Sequence, residues 1–254
     1  MRKLIALFCL LFYFITAPAP ADTHPAPDPA KVFVLCFHTF WGNEKYFYDF
    51  SREEFAAILD QFKDAGFKFV TMDDVFATTL QGSKNLLVTI DDGNRSVYDA
   101  FQVVLFPRNI KPVLAIIAGS IDKIKQDLTW DQVEELQASG CYIASHGWLH
   151  LMADEKLYTL SPELFKQELS KSKLVLSEHL AQPIVVYIYP YGKHIEEDNL
   201  EVPRHGYLLA FGLGQKSITL PLGPNMSLYN LPRYIFDRKN HQDLIDMIIK
   251  EAGK

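Results

Sequence analysis

The chain has 254 residues, of which 48% are hydrophobic and 22% charged, and its formal net charge is −6. That hydrophobic share supports one large core and argues against disorder away from the ends. The acidic balance excludes a nucleic-acid binder, whose binding face is basic.

The N-terminus has the build of a secretory signal. Arg2 and Lys3 precede an apolar run of 13 residues (4–16), and Ala17-Pro18-Ala19-Pro20-Ala21 then sets small residues at A-x-A spacing. The run falls short of the ~20 residues that a membrane span needs. Residues 1–21 are therefore expected to be a cleaved signal peptide, with an uncleaved anchor as the alternative. Cleavage gives an exported protein, periplasmic or secreted, without stable membrane insertion. Phe8 ahead of Cys9 is the wrong residue for a lipoprotein site. Without the signal, 23 basic residues face 31 acidic ones, a balance of −8. Cys36 and Cys141 remain, each in an apolar run and with no Cys-x-x-Cys spacing, so they read as buried thiols rather than a disulfide framework.

Residues 22–30 form a Pro/Ala-rich tether, and a single domain is expected over 31–254. Residues 32–37 read as a strand. Ser51-Arg52-Glu53-Glu54 is a capping box opening a helix that Gly66 stops, and 67–70 is the next strand. Thr71-Met72-Asp73-Asp74 is a second helix start, with its paired acids placed for the helix dipole. Residues 86–90 form an apolar strand that runs into Asp91-Asp92-Gly93-Asn94; here glycine and asparagine break the pattern and leave two carboxylates on a loop. Residues 96–106 are helical and 113–118 a strand. Thr129 caps a helix ending near Gly140, and 141–144 is a strand. Ser161-Pro162-Glu163 starts a long helix to about residue 180, with Ser161 as cap. Strands over 184–188, 207–211 and 228–236 complete the series. Strands separated by helices imply parallel βαβ units, here an α/β fold: a regular or distorted (β/α) barrel of seven or eight parallel strands.

In such a barrel the chemistry sits at the carboxyl ends of the strands. Few polar residues directly follow an apolar run: His38, the Asp91-Asp92 pair, His146 with His150, and Tyr189-Pro190-Tyr191-Gly192; Arg233 lies within the last strand. His146 and His150 are four apart, and on a helical turn they share a face. Two histidines and a carboxylate with an open fourth position make a catalytic zinc site. The other carboxylate of the pair can then serve as general base, the cation easing the repulsion between the two acids.

The segments "TIDDG" (89–93), "SHGWLH" (145–150) and "YPYG" (189–192) resemble, in order and spacing, the first three motifs of the polysaccharide deacetylases, the NodB-homology or carbohydrate esterase family 4 group. The likeness runs over residues 31–238. "FVLCFHTF" (33–40), "GYLLAFGLGQ" (206–215) and "NLPRYIF" (230–236) are similar to the poly-N-acetylglucosamine deacetylase type within it. The resemblance implies a distorted barrel that removes N-acetyl groups hydrolytically from an N-acetylglucosamine-containing polysaccharide. It assigns Asp91 as base, Asp92, His146 and His150 as ligands of a divalent metal (zinc ahead of nickel or cobalt), and the Tyr191 backbone N–H to the oxyanion site. It draws the general acid from the first strand, at His38, since the last strand holds no histidine; His241 beyond it is the fallback. Substrates consistent with the motifs are an exopolysaccharide, the peptidoglycan sugar backbone and a chitin-like oligomer. No oligomeric state is implied.

Three positions depart from the family pattern. Gly147 stands where Ser or Thr is usual, which removes a hydrogen bond behind the metal site. Ile188 replaces an arginine, so Asp91 needs another partner, for which Arg233 is the candidate. Ile90 replaces a common Phe. Each assignment has a plainer counterpart: His38 as a hydrogen-bonded core residue, Arg233 paired with Asp237, Tyr189, Tyr191 and Trp148 as packing rather than sugar-facing aromatics. Two other functions compete, a non-catalytic glycan binder on the same barrel and a glycosidase. The second needs carboxyl groups about 5–9.5 Å apart across a bond, which adjacent residues on one loop do not readily supply.

Overall fold

The computed structural model describes residues 29–223 and 226–254. The expected signal peptide lies outside the described residues, as does the tether up to residue 28. In chain order the elements are β1 (Ala30–Phe37), α1 (Arg52–Asp64), β2 (Lys68–Phe69), α2 (Met72–Ala77), β3 (Asn85–Ile90), α3 (Ser96–Ala100), β4 (Val113–Ile116), α4 (Trp130–Ala138), β5 (Tyr142–Ser145), α5 (Glu155–Leu160), α6 (Pro162–His179), β6 (Val186–Ile188), α7 (Asp198–Arg204), β7 (Leu209–Phe211), β8 (Ile218–Leu220), β9 (Tyr234–Ile235) and α8 (His241–Ala252). A π-helical turn, Phe101–Leu105, prolongs α3.

Local chemistry accounts for half of the helix starts. Ser51, Thr71 and Thr129 each close a reciprocal capping box, with Glu54, Asp74 and Gln132 respectively. Asp74 is thereby spent on the Thr71 backbone N–H, 2.8 Å away. Ser161 behaves differently: its side chain makes no capping bond, because a short helix, α5, capped by Asp154, runs directly into it.

One sheet carries the strands in the order β7-β6-β5-β4-β3-β1, all parallel, with β2 against the start of β3 and β9 against the end of β1. The sheet curls until β7 meets the last segment of chain: Phe211 bridges to Leu231, and Tyr234–Ile235 pairs with Leu35 and Cys36. This is a distorted (β/α) barrel of eight parallel strands. The expected strand over 228–236 is broken, since Pro232 has no N–H for a ladder, and only its end pairs as β9. A ninth strand, β8, not foreseen, runs antiparallel along the first residues of β1.

Side-chain alternation sorts the strands into two faces. Val32 and Val34 of β1 cluster with Leu87, Val113, Ala115, Ala144, Val186, Ile188 and Phe211, all from strands, and so fill the barrel. Phe33, Leu35 and Phe37 cluster instead with Phe55, Leu59 and Phe62 of α1 and Ile245 and Ile248 of α8. The inward row of β1 continues through Cys36 to His38, that of β3 through Thr89 to Asp91, and that of β5 from Ala144 to His146. The barrel interior therefore changes from apolar to ionisable at its carboxyl end.

The loop after β5 is held from α6. The buried Glu168 carboxylate accepts the Leu149 N–H at 2.9 Å and the Leu151 N–H at 3.1 Å. Gly147 makes room for it: a Cβ there would stand 2.5 Å from Glu168 Oε2, and its φ of +81° lies where side chains are strained. Glu168→Ala is expected to cost about 1.5–3 kcal/mol in urea unfolding, the range for hydrogen bonds to a charged group. Amide exchange should quicken at Leu149 and Leu151 while the strand amides of β5 keep their protection; unchanged exchange at these two amides would show that the loop holds itself.

Candidate active site

All seven residues singled out in the sequence, His38, Asp91, Asp92, His146, His150, Tyr191 and Arg233, line one cavity of about 340 Å³. A cavity of similar size at the other end of the strands, beside Met72 and Tyr142, contains no comparable cluster of histidines and acids. His241 stands outside the site, edge-on to Phe50 with Nδ1 against the Asp237 carbonyl.

Asp91 is buried and gripped at both oxygens. Arg233 donates from Nη1 to Oδ1 at 2.7 Å and from Nη2 to Oδ2 at 2.9 Å. The guanidinium also donates from Nε to the Gly212 carbonyl (3.0 Å) and from Nη1 to Thr89 Oγ1 (2.9 Å). Arg233 thus meets Asp91, not Asp237, and occupies the role that Ile188 leaves open; the Ile188 side chain packs inside the barrel. Burial pushes the Asp91 carboxyl up, but the Arg233 guanidinium and His146 outweigh it and hold it well below the usual carboxylate range. Cys36, buried and free, points its thiol at Asp91 Oδ2 (3.5 Å), and burial keeps that thiol protonated.

Asp92, His146 and His150 converge. Asp92 Oδ1 is 3.4 Å from Nε2 of each histidine, and one donor atom from each residue lies within 4.8 Å of the others. Two donors bound about 2.0–2.1 Å from a zinc ion at tetrahedral angles stand roughly 3.3–3.4 Å apart, so the donor set fits one cation. His146 gives its Nδ1 to the Ile188 carbonyl (2.7 Å), which turns Nε2 into the cavity. Burial, reinforced by His146, lowers His150 to about 4, leaving its ring neutral near pH 7. For His146, burial is outweighed by Asp91 and Asp92, which raise its pKa, and a field that attracts a proton attracts a cation as well.

Backbone conformation aims these groups. Of the six described non-glycine residues with positive φ, three line this cavity: Asp92 (74°), His150 (60°) and Tyr191 (59°). Such conformations collect at functional sites. The Tyr191 ring is exposed and lies 4.6 Å from that of His150, and its N–H meets no carbonyl among the described residues. Tyr189, by contrast, is core: fully buried, its hydroxyl donates to the Tyr229 carbonyl.

His38 stands across the cavity, its ring stacked on Tyr48 at 4.9 Å. Its Nδ1 is buried with no hydrogen-bond partner among the described residues, which sets it apart from a satisfied core histidine. Burial lowers its pKa against the opposing pull of Asp91 and Asp92. Sequence reasoning missed Thr89, Cys36, Tyr48 and Glu168. The first two sit on inward strand positions and were open to a period-two reading; Glu168, in the middle of a helix, and Tyr48, in a loop, carry no such signal. Trp148 packs partly buried against the core and does not line the cavity of His146 and His150; Lys123 and Lys171 lie over its ring at 4.9 and 4.1 Å.

Known proteins share this arrangement of chain. IcaB from Ammonifex degensii is 27% identical and superposes with a TM-score of 0.74, covering 86% of this chain and 97% of that one. A de-N-acetylase from Aggregatibacter actinomycetemcomitans, 21% identical, shares the fold with a TM-score of 0.73 over 86% of this chain and 99% of its own. A poly-beta-1,6-N-acetyl-D-glucosamine N-deacetylase of Staphylococcus aureus is 21% identical over 96% of this chain and 96% of that protein. The polysaccharide deacetylase family matches residues 80–209, more than half of the chain and the span that holds Asp91, Asp92, His146, His150 and Tyr191. On that match, the protein belongs to the polysaccharide deacetylase family.

Proposed function

We propose that the protein removes N-acetyl groups hydrolytically from an N-acetylglucosamine-containing polysaccharide, using a divalent cation (zinc ahead of nickel or cobalt) held by Asp92, His146 and His150. The observation that carries this reading is the meeting, in one cavity, of a donor set spaced for one cation, a carboxylate fixed by Arg233 and an unpartnered histidine. The activity for which the Staphylococcus aureus relative is named supports the choice of sugar. The signal-like residues 1–21 support export to the periplasm or beyond, and no helix among the described residues is long and apolar enough to cross a membrane.

A cation at that site would polarise the acetyl carbonyl and acidify a water molecule. The remaining work falls to side chains and backbone. Asp91, kept ionised and held in place by Arg233, takes a proton from the attacking water as its oxygen bonds to the acetyl carbon. The Tyr191 N–H donates to the developing oxyanion. As the C–N bond breaks, the nitrogen keeps the electron pair and needs a proton, which His38 supplies. Acetic acid and a free amine leave, with one proton gained by Asp91 and one lost by His38; the water's second proton, still on the acid's carboxyl group, then passes to solvent.

Three outcomes test these roles. His146→Ala should lose stoichiometric metal, measured by elemental analysis, together with acetate release; a variant that keeps both removes His146 from the site. Asp91 works ionised and Arg233 holds its pKa down. In Arg233→Met, burial acts on Asp91 unopposed by that charge, its pKa rises, and the acid limb of kcat/KM moves to higher pH. Metal content should be retained, Arg233→Lys should shift the limb less, and an unmoved limb would leave Asp91 with another partner. His38→Ala should keep metal and lose about 10²–10⁴ in rate on the amide. It should recover part of that on an activated acetate ester, whose leaving group needs no proton; equal losses on both substrates would move the acid elsewhere.

A further inference from the structure

We propose that the loop between β1 and α1 is a glycan subsite, an aromatic rim on which the polysaccharide lies next to the sugar being deacetylated. This rests on the deacetylase reading. Within eight residues the loop exposes Trp41 (53%), Tyr46 (65%), Phe47 and Tyr48. Large aromatic surface gathered in one exposed place marks a binding surface. The rim is continuous with the catalytic cavity: a second cavity of about 380 Å³, walled by Trp41, Tyr46 and Tyr48, shares His38, Tyr48 and Asp92 with the first. Tyr48 is the common wall, since its other contact is the His38 ring.

The loop is held rather than loose. The buried Asp49 carboxylate accepts the N–H groups of Trp41 (2.9 Å) and Asn43. Gly42 and Phe50 close its neck through backbone bonds of 3.0 and 3.1 Å. Arg238 donates to the Asp49 carbonyl at 2.8 Å while its backbone N–H meets the Phe47 carbonyl at 3.1 Å. Little ordering is left for a ligand to bring about, and such preorganisation favours binding.

The polar part of the lining selects the ligand. Asn94 and Gln126 line the groove together with the aromatics. Neither the Asn94 amide nitrogen nor the Gln126 side chain bonds another described residue. A pyranose ring offers C–H faces to an aromatic wall and hydroxyl or acetamido edges to amides, so this pairing suits a sugar chain. A bilayer needs no amide edge, and the net charge of −6 disfavours anionic lipid. Contacts away from the reacting acetyl group raise kcat/KM on longer substrates.

The test uses the metal-loaded protein and β-1,6-linked N-acetylglucosamine dimer and hexamer. Wild type is expected to favour the hexamer by about tenfold or more in kcat/KM, and Trp41→Ala/Tyr46→Ala to lose most of that preference. Both side chains are more than half exposed, so the fold tolerates their loss, which melting temperature verifies. A hexamer preference within about twofold of wild type in the variant overturns the subsite and leaves the deacetylase reading intact. Absence of acetate release by wild type from these oligomers and from their β-1,4-linked counterparts alike overturns that reading and the subsite with it. A third arm measures sedimentation with phosphatidylcholine vesicles, with and without phosphatidylglycerol. Binding that the double variant loses while its hexamer preference stays intact assigns the rim to a lipid surface and overturns the proposal.

Discussion

The buried pair of Arg233 and Asp91 sets the terms for everything around it. Taking two charges out of water costs several kcal/mol per ion, and only good geometry with further hydrogen bonds offsets that cost. Here both carboxylate oxygens are engaged by the guanidinium, which is also satisfied by Thr89 and the Gly212 carbonyl. Asp91 ends β3 and Arg233 lies on the segment leading into β9, so the pair joins the two strands that flank the end of β1. It also anchors the chain just after β7, through Gly212. The contact that keeps Asp91 ionised therefore also draws the mouth of the barrel together. That positive charge, together with His146, holds Asp91 ionised against its burial.

Strand geometry poses a second constraint. Successive side chains of a strand point to opposite faces, so Asp91 and Asp92 cannot both face the cavity while the chain stays extended. The left-handed turn at Asp92 swings its carboxylate back toward the barrel mouth, where it meets His146 and His150. Left-handed backbone at His150 and Tyr191 re-aims those residues in the same way. Each such conformation costs on the order of 1–3 kcal/mol and persists only where its surroundings over-determine it. Around His150 those surroundings include Glu168, whose carboxylate takes two N–H groups of the loop in a space left clear by Gly147. The glycine that departs from the family pattern is thus matched by an acid from a neighbouring helix.

Much of this was legible in the chain. The capping boxes at Ser51, Thr71 and Thr129 formed as read, because a cap is an agreement between residues three apart. Asp73 and Asp74 separated from Asp91 and Asp92 on the same local ground: Thr71, two residues before the first pair, caps a helix, and the residues after the second break one. The apolar runs located the strands, and the polar residues at their ends located the cavity. Errors had two sources, one local and one distant. Ser161 looked like a cap but was pre-empted by α5, the helix immediately before it; β8 is three residues long and exists because the edge of β1 is there to receive it.

Strand positions along the chain, inward parity at positions 38, 91 and 146, and the identity of the metal-type donors are properties of short windows, and the sequence by itself determined them. The partner of Asp91 lies 142 residues away, the carboxylate behind the His150 loop lies 17 to 19 residues from the amides it holds, and the aromatic rim joins the site through the stacking of Tyr48 on His38. For the first the sequence offered Arg233 beside a rival pairing of Arg233 with Asp237, and for the other two it offered nothing; tertiary structure decided all three. Helix caps and strand alternation follow from backbone geometry over a few residues, whereas charge compensation and loop anchoring depend on which groups the closed barrel brings within a few ångströms.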